Sequence, residues 1–96
     1  MNLAKVVGTV VSTTVSIEID GARYLLVEKT NHYGSPKGDF LVALDLVGAN
    51  YGELVMISES SSARDTLTTI NKAVDAIIVG IIDLIDENDN IIYKKN

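Results

Sequence analysis

The chain has no cysteine, which excludes a disulfide framework and any thiolate metal site. It has no tryptophan, one phenylalanine and four tyrosines. Tyr24, Tyr33, Tyr51, Tyr93 and Phe40 are too few and too scattered for a base-stacking platform. It has no basic cluster either: 13 acidic residues outnumber 8 basic ones, for a formal net charge of −5. The single basic doublet, Lys94-Lys95, sits at a terminus expected to be mobile. Nucleic acid and acidic membrane surfaces are bound through clustered Lys and Arg, so neither is expected as a partner. Long hydrophobic runs are also missing. The longest, residues 76–82, lies between Asp75 and Asp83 and falls far short of the roughly 20 residues a membrane helix needs. The opening Val-Val-Gly-Thr-Val-Val is too short for the apolar region of a signal peptide. These absences point to a soluble, intracellular protein.

What is present is apolar and small. Of 96 residues, 47% are hydrophobic. That length makes one domain, residues 1–96, and a domain this size buries only about 60–65% of the surface its unfolded chain exposes. An apolar surplus of that kind is commonly hidden against a second subunit.

Most segments read as strands. Residues 3–14 are rich in Val and Thr, with Gly8 interrupting as in a curved or bulged strand. Asp20-Gly21 is a turn signal between Ile-Glu-Ile and Arg-Tyr-Leu-Leu-Val-Glu. Residues 30–39 gather Asn, Gly, Ser and Pro and predict an exposed loop. Strands are predicted over 40–46 and 53–58, with Gly48, Asn50 and Gly52 turning the chain between them. Asn50, like glycine, tolerates positive φ. Over 61–74, Ala63, Leu67, Ile70 and Val74 fall near helical spacing, with serines to cap and Asp65 in the first turn. A short helix is expected there. Residues 76–85 are rich in β-branched residues and predict a strand buried on both faces; Asp-Glu-Asn-Asp-Asn then turns into a short edge strand, Ile-Ile-Tyr-Lys, so that 85–96 is a turn plus a C-terminal strand. Five or so strands and one short helix in so short a chain predict a mainly β fold, a small closed or partly open OB-like barrel.

No constellation for catalysis emerges. His32, the one histidine, lies in a polar loop with no partner to orient it, and is read as a solvated residue. Ser60, Ser61 and Ser62 lack the elbow motif of a nucleophile. The acidic run from Asp86 opens like a calcium loop, but Ile91 stands where glycine is required and no closing acid follows. Gly48, Asn50 and Gly52 precede neither a helix nor a Lys-Ser/Thr pair, so they are turn residues and not a phosphate cradle. Asp45, Asp75 and Asp83 sit among apolar neighbours. An unpaired carboxylate there would be costly, so each is expected to accept backbone N–H groups or to pair with Arg23 or Arg64. No metal ligand set and no cofactor is predicted.

Four blocks in order carry a family resemblance: Leu3 with Lys5-Val6-Val7-Gly8-Thr9-Val10-Val11; Leu25-Leu26-Val27 with Leu41-Val42-Ala43-Leu44-Asp45; Val47-Gly48-Ala49 with Gly52-Glu53-Leu54-Val55 and Ser61-Ser62-Ala63-Arg64; and Val74-Asp75-Ala76 with Ile78-Val79-Gly80-Ile81-Ile82-Asp83. In these the chain resembles the EutN/CcmL type of bacterial microcompartment vertex protein over residues 1–83. Asn50 and Ser60 stand where the family usually has glycine, and the tail after Asp83 follows no family pattern.

The resemblance implies a non-enzymatic structural protein with an OB-like barrel. It implies a homopentamer in the shell of a cytoplasmic microcompartment, capping vertices between hexameric shell proteins. It places Ser60, Ser61, Ser62, Ala63 and Arg64 at the subunit boundary or axial opening, where small residues permit close approach and an arginine fork can bridge to a neighbour. The competing readings are serines that merely cap the helix, an OB-type binding module for nucleic acid, a non-shell homo-oligomeric barrel, and a small hydrolase or metal enzyme using His32 or Asp83.

Overall fold

A computed structural model describes residues 1–11, 23–59 and 76–96. Seven strands occur among them: β1 (Asn2–Val10), β2 (Arg23–Thr30), β3 (Pro36–Asp45), β4 (Leu54–Glu59), β5 (Ala76–Ile81), β6 (Leu84–Glu87) and β7 (Asn90–Lys94). The first five close into a barrel in the order β1-β2-β3-β5-β4. All its pairings are antiparallel except β3 with β5. This is the five-stranded OB-like architecture expected from the strand count. Closure leaves no strand of the barrel with an unpaired edge along its paired length. The expected helix over 61–74, the Asp20-Gly21 turn and Asp75 lie outside the described residues.

Alternation with period two builds the interior. Ala4 and Val6, Leu25 and Val27, Val55 and Ile57, and Ala76 and Ile78 are all buried in one cluster with Ala43 and Ala49. Alanine beside branched residues suits the limited bore of five strands. The outward positions are not polar, as a solvated sheet would require: Leu44, Leu54 and Ile77 are also fully buried. Gly8 follows a register shift between Val6 and Gly8 against β2, the bulge its position suggested.

Three expectations need correction. The loop over 30–39 is shorter, because Thr30 already pairs with Pro36. The Asn31 side-chain oxygen accepts the N–H groups of Tyr33 and Ser35 at 2.9 and 3.0 Å, tightening the turn, and proline opens β3 where a missing N–H costs nothing. The strand over 76–85 is two strands. Its wall is buried only through Ile78; Val79 is partly exposed, beside a shift in the β4 register, and β5 ends at Ile81. Ile82 donates its N–H to Leu54 at 2.8 Å, after which the chain leaves the barrel and Asp83 turns out to solvent, its side chain 82% exposed. The C-terminal segment pairs as a β6–β7 hairpin across Glu87 and Asn90. Asn88 and Asp89 take φ of 53° and 68°, the left-handed pair that a two-residue hairpin turn requires.

Candidate assembly surface

Asp45 ends β3 inside the mouth of the barrel, its side chain only 2% exposed. Its Oδ1 accepts the N–H groups of Val47, Gly48 and Ala49 at 3.1, 3.1 and 3.2 Å. Oδ2 accepts Arg23 Nη2 at 3.0 Å, and the same guanidinium nitrogen donates to the Ala49 carbonyl at 2.6 Å. One carboxylate thus satisfies three consecutive backbone donors, the arrangement a buried acid needs. Of the two bases expected for Asp45, Arg23 is a partner; Arg64 lies outside the described residues.

The turn continues in the same manner. Gly48 and Gly52 adopt φ of 75° and 85°. Asn50 does not share that conformation: the left-handed positions fall on the flanking glycines, so the tolerance argued for Asn50 is not used. Its N–H instead donates to Glu53 Oε1 at 2.6 Å, while its carbonyl accepts the Glu53 N–H at 3.1 Å. Gly52 N–H reaches Val6 O at 2.9 Å and Val6 N–H reaches Glu53 O at 3.0 Å, stitching the turn to β1.

Glu53 also anchors the tail. Lys95 Nζ lies 2.6 Å from Glu53 Oε2, and Lys95 donates its N–H to Asp83 O at 2.8 Å. The terminus expected to be mobile is therefore tied to the turn and to the start of the hairpin. The hydrogen bond from Lys95, helped by the Asn50 N–H, holds the Glu53 carboxyl below its ordinary value. The same bond raises Lys95.

His32 lies half-exposed, its Nε2 3.4 Å from Glu87 Oε2 and its ring 4.2 Å from that of Tyr33. Among the described residues, no group of three or more His, Asp or Glu side chains is placed to hold a metal ion, and no helix is long and apolar enough to cross a membrane. Ser60, Ser61, Ser62, Ala63 and Arg64 lie outside the described residues.

The outer wall is the feature that single-residue reasoning missed. Phe40 and Val42 stand 52% and 45% exposed on β3. Met56 and Leu84 border a hollow of about 580 Å³ at the foot of the hairpin. The signal was present in Phe-Leu-Val-Ala-Leu and Leu-Val-Met-Ile, strands apolar at successive positions and therefore on both faces. Exposed apolar patches on a small domain mark contact surfaces.

Residues 1–83 match the family described as ethanolamine utilisation protein EutN/carboxysome. The chain belongs to the EutN/CcmL family. Among relatives of this EutN/CcmL chain, the bacterial microcompartment shell vertex protein PduN of Salmonella typhimurium is 45% identical over 87 residues, covering 86% of this chain and 96% of PduN. The solved CcmL of Nostoc sp. superposes with a TM-score of 0.90 at 42% identity, over 99% of this chain and 100% of that one. GrpN of Rhodospirillum rubrum, described as a pentameric microcompartment shell protein, superposes at 0.80 with 39% identity, over 91% of this chain and 99% of that one. The hairpin lies beyond the family's matched residues, yet the Nostoc CcmL superposition runs through it.

Proposed function

We propose that this protein is a structural shell protein of a bacterial microcompartment, assembling as a homopentamer that caps the vertices of a polyhedral shell within the cytoplasm. The observation that carries the reading is the superposition of most of the chain on a pentameric shell protein. The closed barrel fits the role, since closure leaves side-chain faces and not strand edges to make ring contacts. A flat sheet of hexagonal tiles cannot close without five-fold positions, and a five-membered ring supplies both the missing symmetry and the curvature. Hexameric shell proteins are the neighbours at its rim. Catalysis belongs to the enclosed enzymes, and the described side chains serve to hold shape. Ser60, Ser61, Ser62, Ala63 and Arg64 complete the proposal as residues of the subunit boundary, where small side chains admit close approach around an axis.

Native mass spectrometry of the purified protein tests the ring, with a pentamer expected; a monomer at every micromolar concentration sampled would refute it. Deletion of the gene in its host tests the shell role. Elongated or open shells with active cargo are expected, and normally sealed shells in electron micrographs would count against it.

A further inference from the structure

A ring built by a five-fold rotation joins unlike surfaces, so each subunit needs one face for the neighbour on its left and another for the neighbour on its right. The outer wall of this barrel offers two such faces. The first spans β1, β4 and β5, where Leu3 pairs with Met56 and Met56 with Gly80. A Cβ on Gly80 would lie 2.8 Å from the Met56 methyl group, so the thioether fills the space over that bare backbone. Ile82, Leu84 and Ile85 border the same hollow of about 580 Å³. Methionine gives that floor a surface that adapts to what covers it.

The second face is a ridge. Leu26 of β2 pairs with Val42 of β3, and Phe40 projects two residues before Val42 on the same side of the strand. Phe40 is 52% exposed and is the protein's one phenylalanine. In the closed order β1-β2-β3-β5-β4, β4 stands across the barrel from the β2–β3 pair. The hollow and the ridge therefore occupy different flanks, as the two contact faces of one ring subunit must.

We propose that the Phe40–Val42 ridge of one copy seats in the hollow beside Met56 and Leu84 of the next, a head-to-tail contact repeated around the ring. The proposal rests on the pentameric reading above and assigns its surfaces. The hollow is shallow and mostly apolar, with Asp83 at its border, and an aromatic anchor against such a surface is the kind of contact that dominates interface energy. A hollow packed on its own copy would instead close a two-fold dimer.

The absence of native cysteine makes the contact directly readable. Phe40→Cys, Leu84→Cys and the doubly substituted chain are each treated with a short bis-maleimide and run on denaturing gels. The double variant is expected to give a ladder ending at five chains, and each single variant to stay monomeric. Phe40→Glu and Leu84→Glu are expected to lose the ring in native mass spectrometry while keeping the barrel's strand circular dichroism. Cross-linking of either single variant to itself would overturn the assignment, as would a double variant that assembles but does not cross-link, or rings that survive both glutamates. A wild-type monomer would sink the pentameric reading itself, which these variants do not decide.

Discussion

Arg23 and Asp45 are register partners across β2 and β3, and their side chains meet at 3.0 Å at the point where β3 ends. The pair is unequal: the guanidinium is half-exposed and the carboxylate is buried. Asp45→Ala strands three backbone donors at once, and should destabilise the protein by about 2–4 kcal/mol. Arg23→Met removes a partner that water can replace, and should cost about 1 kcal/mol. Urea denaturation at one fixed protein concentration compares them, since assembly makes stability concentration-dependent. Equal losses would show that the ion pair, and not the carboxylate's grip on the turn, is what matters.

Gly48 tests the turn's geometry alone. A Cβ there meets nothing within 4 Å, so Gly48→Ala is penalised only for its φ of 75°, by about 1–2 kcal/mol. Gly48→Asn should cost less, because asparagine tolerates left-handed backbone. The order wild type, Asn, Ala in thermal denaturation midpoints checks this, and an alanine variant as stable as wild type would contradict it.

The Glu53–Lys95 link predicts a pH dependence with a definite sign. Glu53 is depressed in the folded state, so its contribution is present above the ordinary carboxylate range. That contribution is lost as pH falls through the depressed folded value. Lys95 is raised, so its contribution is present below the ordinary lysine value and lost as pH rises through the raised one. The pair is therefore intact across neutral pH. Lys95→Met should lower the denaturation midpoint at pH 7 and leave little difference from wild type once Glu53 is protonated in strong acid. A difference that persists unchanged in acid would assign the effect of Lys95 to packing.

Those three sites were unequally legible. The buried setting of Asp45 and its two forms of satisfaction followed from composition, because a carboxylate among Val, Leu and Ala has few affordable states. Placing Arg23 against Asp45 required the β2–β3 register. Glu53 and Lys95 are 42 positions apart, and no local pattern links them. Asn50 was misjudged because the residue's tolerance of positive φ says nothing about whether its neighbours have already taken the left-handed positions.

Local composition and period settled the mainly β class, the bulge at Gly8 and the turns over 48–52 and 86–90, while the order of four residue blocks carried the family resemblance. Each depends on short-range sterics or on residue order, which a linear chain carries in full. Folding in three dimensions set the rest: where 76–85 breaks, which apolar side chains face inward, and which are left outside as a ridge and a hollow. A strand apolar on both faces is consistent with either wall of a barrel, and only closure, which brings β4 beside β1 and β3 beside β5, separates inside from outside.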